Sequence, residues 1–112
     1  MTVPPPLSAI EVDARLAELP GWDGDTSEIS KTFEIEYHTG VRMVVDVARD
    51  AKERGHHPDI HVTWGQVRFD LTTHDAGYVV IQLDLNSARA IDEIAAQHGA
   101  IRAERPSAGR DR

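Results

Sequence analysis

The stretch from Ala51 to His74, A-K-E-R-G-H-H-P-D-I-H-V-T-W-G-Q-V-R-F-D-L-T-T-H, decides how the rest of the chain is read. Asp59 to Trp64 and Val67 to Thr73 alternate apolar and polar residues, the period of half-buried strands, and Gly65-Gln66 between them reads as a two-residue turn of type II′. In that register facing residues have numbers summing to 131, so Ile60 meets Leu71, Val62 meets Phe69 and Trp64 meets Val67 on one apolar face. The polar face pairs Thr63 with Arg68, His61 with Asp70 and Asp59 with Thr72, and one step further it sets His57 across from His74. A slip of one residue would send every side chain to the wrong face, so the apolar match supports the pairing independently of the histidines.

Upstream of this hairpin, Val41, Val44, Val45, Ala48 and Ala51 form a helical stripe, with Thr39 as a usable N-cap and Gly55 as the stop. His56, His57 and Pro58 are thereby fixed in a tight junction between helix and strand. Before that helix, Ile29 to Tyr37 alternates as a strand, with Ile29, Phe33, Ile35 and Tyr37 on the apolar side and Lys31 as its exception. Gly24-Asp25 can turn a short strand around Trp22 back onto it, and Trp22 is expected to anchor the chain to the core. Further back, Ser8 and Glu11 read as a capping box for a short helix carrying Ile10, Val12, Leu16 and Leu19, stopped by Pro20-Gly21. Residues 1–6, with three consecutive prolines, read as an extended disordered arm.

Downstream, Asp75-Ala76-Gly77 is a turn signal, and residues 78–83 have the propensity for an extra edge strand. Both sides of that segment are apolar, so it is expected to be buried at a homo-oligomer interface. Asp84 or Asn86 can cap a last helix bearing Leu85, Ala88, Ile91, Ile94 and Ala95, with Gly99 as its stop. The chain therefore divides into the arm, one domain over residues 7–100 and a polar disordered tail over residues 101–112.

Composition narrows the partners. A net charge of -7 with no basic block argues against nucleic acid or an anionic membrane. The absence of cysteine removes disulfides, thiol catalysis and thiolate metal sites together. No apolar run approaches the roughly 20 residues that span a bilayer, and the first residues lack a signal-peptide pattern, so a cytoplasmic location is expected.

Histidine gives and takes protons near neutrality, so three of them converging on one pocket suggest acid/base chemistry. His38 and His98 read as ordinary surface or hydrogen-bonded residues, and His61 as a partner of Asp70. A metal held by His56, His57 and His74 is disfavoured, because adjacent histidines point apart and no carboxylate sits at a helical ligand spacing to them. No metal is expected. The residues alone lead to a small acid/base or ligand-binding α+β domain.

A resemblance carries the reading further. E-R-G-H-H-P-D-I, the aromatic Trp64 after it, T-T-H-D-A-G, D-L-N-S-A-R-A-I-D and the earlier L-P-G-W and I-S-K-T-F are similar to motifs of the pterin-4a-carbinolamine dehydratase family, over Leu16 to Ile94. The resemblance implies an α+β fold, a four-stranded antiparallel sheet with helices packed on one face, assembled as homodimers or homotetramers. It implies dehydration of 4a-hydroxytetrahydropterin to quinonoid dihydropterin, the hydro-lyase step of pterin recycling, with the pterin as substrate and no cofactor. The family's essential histidines fall on His56, His57 and His74, and its substrate-binding positions on Thr72, Thr73, Asp75 and Asp84. Two features depart from the pattern. A-G-Y-V-V-I-Q-L-D is one residue longer and more apolar than the family's Gly-Gly-Leu-Thr-x-x-Asp, and Lys52 stands where many members carry Glu. The rival implied by some relatives is a protein-binding assembly module that would use residues 78–83 as its edge.

Overall fold

Hydrophobic alternation and left-handed glycines set the order of elements in the computed structural model, which describes residues 5–104. The elements are α1 (Ala9–Leu16), β1 (Asp23–Gly24), β2 (Ile29–Glu34), α2 (Tyr37–Arg54), β3 (Asp59–Thr63), β4 (Gln66–Leu71), α3 (Gln82–Gln97) and β5 (Ile101–Arg102). The α+β architecture is the expected one: an antiparallel sheet in the order β1-β2-β4-β3, with β5 added beside β2. Ile29, Phe33, Val67, Phe69 and Leu71 from the sheet pack with Val12, Met43, Val47, Leu85, Ala88 and Ile91 from the helices. Ser8 caps α1 with its capping box in place.

The hairpin is offset by two residues from the register expected of it. Ile60 faces Phe69, Val62 faces Val67, His61 faces Arg68 and Asp59 faces Asp70, so facing numbers sum to 129. Trp64 and Gly65 form the turn in place of Gly65-Gln66, because Gly65 supplies the positive φ of 87° just before β4 begins. A two-residue displacement preserves both faces, which is why the alternation could not detect it. His61 still reaches Asp70, now diagonally, with Nε2 2.8 Å from Oδ2. Trp64 does not face Val67. It is 81% exposed at the hairpin tip and stacks on Tyr37 at 5.5 Å.

Helix α2 starts two residues earlier than its expected cap. Glu36, not Thr39, is the N-cap, accepting from the backbone N–H groups of His38 and Thr39 at 3.0 Å each. These bonds, that from His38 first, hold the Glu36 carboxyl down at about 2. Because the folded-state value is depressed, the cap stabilises the helix above the ordinary carboxylate range and is lost as pH falls toward 2. The buried stripe is Gly40, Met43, Val47 and Ala51, leaving Val41, Val45 and Ala48 exposed. Gly40 accounts for the rotation: a Cβ there would stand 3.0 Å from Ile35 Cγ2 and 3.1 Å from Val67 Cγ2, so the helix meets the sheet along this edge.

Lys31, the exception on the apolar side of β2, has a specific partner. Its ammonium lies 2.8 Å from Asp92 Oδ1 and 4.7 Å from the Phe33 ring centroid, and the Trp22 indole N–H donates to the same carboxylate at 3.1 Å. Trp22 is buried, as an anchor should be.

Residues 78–83 do not form an edge strand. One isolated bridge joins Thr73 to Val79, and α3 already begins at Gln82 with Ile81 as its N-cap, so neither Asp84 nor Asn86 occupies that position. Val80 is 0% exposed, and its backbone accepts from Leu7 N–H at 3.0 Å and donates to the Thr26 carbonyl at 2.8 Å. Val80 and Ile81 are thus buried by their own chain, while Tyr78 and Leu83 of the same segment stay exposed. Val80→Lys is accordingly expected to lower folding stability by more than about 3 kcal/mol through a buried, unpaired ammonium. An unchanged urea midpoint in this variant would show that Val80 is not a core residue.

The tail boundary set at residue 101 falls inside structure. Ile101 and Arg102 pair with Glu34 and Phe33, and the buried Ala103 donates to the Thr32 carbonyl at 3.0 Å. Residues 1–4 of the expected arm and residues 105–112 of the expected tail lie outside the described residues.

Candidate active site

Two chain junctions meet where β3 starts and β4 ends, neighbouring points because the strands are antiparallel. At the first, Gly55 adopts φ 68° and its N–H closes on the Ala51 carbonyl at 2.9 Å, ending α2 and sending His56, His57 and Pro58 straight into β3. At the second, Thr72 and Thr73 lead into a single 3₁₀ turn, His74–Ala76, closed by Gly77 at φ 90°. Between them lies a cavity of about 250 Å³. Gly55, His56, His57, Pro58 and Asp59 line one wall, and Thr72, Thr73, His74 and Asp75 the other.

Behind the cavity stands Asp84, in the first turn of α3 and 0% exposed. Its Oδ1 lies 2.5 Å from His56 Nε2, while its Oδ2 accepts from the Thr73 hydroxyl at 2.8 Å and from the Ile81 backbone N–H at 2.9 Å. With the carboxylate accepting, the hydrogen of His56 sits on Nε2 and Nδ1 is the ring's remaining nitrogen. His57 and His74 are exposed at the cavity. The Tyr78 ring lies against that of His74, with centroids 4.9 Å apart and planes tilted by 46°. The Thr72 hydroxyl is already engaged, donating to the Ser27 carbonyl at 2.6 Å.

Six of the seven residues singled out from the sequence, His56, His57, His74, Thr72, Thr73 and Asp75, line this one cavity. Asp84 does not line it; it supports two residues that do. Sequence reasoning missed Asp59 and Pro58 as lining residues, although their position immediately after the paired histidines was an available signal. It also missed the contact of Tyr78 with His74, because a strand was expected there. Trp64, quoted among the aligned motifs, is at the opposite end of β3.

The other histidines have local partners: His38 pairs with Glu36, His61 with Asp70 and His98 with Asp46. Near the start of β3 the field is acidic. Desolvation and then the charge of Asp70 push the Glu28 carboxyl up, Arg68 opposes them, and Asp59 adds to the rise. Among the described residues no group of three or more His, Asp or Glu is arranged to hold a metal ion. No helix among them is long and apolar enough to cross a membrane.

The sequence pattern of the family described as Pterin 4 alpha carbinolamine dehydratase matches residues 5–94. A Roseiflexus sp. (strain RS-1) protein, provisionally named a pterin-4-alpha-carbinolamine dehydratase, is 45% identical over 89 residues, 79% of this chain and 95% of its own length. A Streptomyces avermitilis protein with the same provisional name is 38% identical over 96 residues, 85% of this chain and 95% of its own. Among solved structures, a transcriptional coactivator/pterin dehydratase from Brucella melitensis superposes with a TM-score of 0.76 at 26% identity, covering 81% of this chain and 99% of that one. A pterin dehydratase-like protein described as a RuBisCO assembly factor in the alpha-carboxysome shares the fold at a TM-score of 0.53 and 21% identity, over 66% of this chain and 86% of that one.

Proposed function

The chain belongs to the pterin-4-alpha-carbinolamine dehydratase family, and from that premise we propose that its cavity dehydrates 4a-hydroxytetrahydropterin to quinonoid dihydropterin and water. The observation that carries the reading is the convergence of His56, His57 and His74 on one cavity, with His56 fixed from behind by Asp84. Pockets that enclose drug-sized ligands run to about 300–1,000 Å³. A cavity of about 250 Å³ suits a small bicyclic ring whose substituent stays outside.

The chemistry needs one acid and one base. A protonated imidazole gives its proton to the 4a-hydroxyl as the C4a–O bond breaks, so that water and not hydroxide departs. A neutral imidazole takes the proton from N5, and the electron pair of that N–H bond becomes the N5=C4a double bond. Two histidines in opposite protonation states meet both needs, and neither a cofactor nor a metal enters the balance. Purified protein should accelerate the dehydration of synthetic 4a-hydroxytetrahydropterin, followed by absorbance, and should do so equally after chelator treatment. A rate equal to the uncatalysed one would refute the reading.

The rival reading as an assembly module drew on residues 78–83 as a binding edge; these residues form no strand, and Val80 and Ile81 are buried while Tyr78 and Leu83 are exposed. For the homo-oligomer expected of the chain we propose a different surface. Tyr37, Val41 and Val45 recur every four residues on α2, Trp64 stacks on Tyr37, and Val62 lies two residues back along β3. Val41, Val45, Val62 and Trp64 are all exposed large apolar side chains. Val45→Glu should reduce the oligomer mass measured by size-exclusion chromatography with light scattering. A wild-type monomer at micromolar concentration would contradict this surface.

A further inference from the structure

Tyr78 has a backbone that a bulky residue rarely adopts. Its φ is 63°, and it is the one non-glycine residue with positive φ among the described residues. The conformation is imposed by a closed loop: Thr73 N–H donates to the Val79 carbonyl at 2.9 Å, Tyr78 N–H to the Thr73 carbonyl at 3.0 Å and Gly77 N–H to the His74 carbonyl at 3.0 Å. A glycine would occupy this position without strain. Core burial does not account for the tyrosine, since the residue is 63% exposed. The ring contact its side chain makes is with His74, at 4.9 Å. His74 lines the cavity and Tyr78 does not, so the phenol ring meets the imidazole from outside the cavity wall.

We propose that Tyr78 is a positioning residue that confines the His74 imidazole to the orientation facing the cavity, a proposal that rests on the dehydratase reading for its effect on rate. An imidazole in a 3₁₀ turn on the surface would otherwise sample its rotamers freely. A proton-transfer group must stay within a fraction of an ångström of its productive place. The flat ring of Tyr78 supplies that restraint, and the phenolic hydroxyl is not needed for it. The left-handed backbone follows from the same demand, because it aims the side chain back over His74.

Tyr78→Gly removes the ring while relieving the backbone, so it separates positioning from folding. The variant is expected to melt at or above the wild-type temperature and to lose kcat by roughly tenfold with KM changed less than about twofold. In the free protein, ¹³C relaxation at His74 Cε1 should report greater ring mobility in Tyr78→Gly, and Tyr78→Phe should restore both the ring order and kcat. An unchanged His74 order parameter in Tyr78→Gly would overturn the proposal, as would wild-type kcat in that variant. The relaxation measurement needs no turnover, so failure of the dehydratase reading and failure of this one are distinguishable.

Discussion

His74→Ala should lower kcat/KM for the 4a-hydroxytetrahydropterin by on the order of 10²-fold, the scale of one acid/base group, while leaving the melting temperature nearly unchanged. The second half follows from how the residue is held. The backbone of the 3₁₀ turn is closed by Gly77 N–H on the His74 carbonyl, and no hydrogen bond of that turn uses the imidazole. The side chain is exposed, so its removal opens no core cavity. His57, exposed in the facing wall, should behave alike. Steady-state rates across pH 5 to 9 provide the check. Wild-type turnover in both His57→Ala and His74→Ala would exclude histidine acid/base catalysis in this cavity.

A change at Asp84 reaches fold and chemistry together. Asp84→Ala strips three donors, His56 Nε2–H, the Thr73 hydroxyl and the Ile81 N–H, of an acceptor that is itself fully buried. Removing one partner of a buried charged network costs about 3–5 kcal/mol, so the alanine variant should unfold at much lower denaturant. Asp84→Asn separates the two roles. The asparagine oxygen can keep the bonds to Thr73 and Ile81, but its NH₂ group then faces His56 and forces the imidazole proton from Nε2 to Nδ1. Stability should fall by less than in the alanine variant, while kcat drops by on the order of 10²-fold. Full activity in Asp84→Asn, measured beside its denaturation midpoint, would show that the tautomer of His56 is immaterial.

What the sequence made legible follows the reach of each signal. Alternation of period two identifies β2, β3 and β4 and the faces that β2 and β4 bury, but the same period leaves displacement by two residues invisible, so the turn reads as Gly65-Gln66 instead of Trp64-Gly65. The stripe of α2 was misjudged because valines outweighed Gly40 and Met43. A missing Cβ has no hydrophobicity, yet it decided which edge of the helix could approach Ile35 and Val67. Residues 78–83 read as an edge strand from their strand propensity. Their conformation is set in part by distant partners of Val80, Leu7 and Thr26, which no local window contains. The site was more legible than the register, because its residues cluster at two junctions marked by glycine and proline. The role of Asp84 behind the cavity became visible only in three dimensions.

The bonds of Asp84 bear on what can be diagnosed in relatives of this protein. Its carboxylate starts α3 and locks Thr73 as well as holding His56, so selection for a stable chain would preserve it even after turnover had been lost. An aspartate at this position in a relative is therefore weak testimony for an enzyme. His57 and His74 carry more weight: both are exposed at the cavity, and a chain relieved of catalysis would be free to drift at those two positions first.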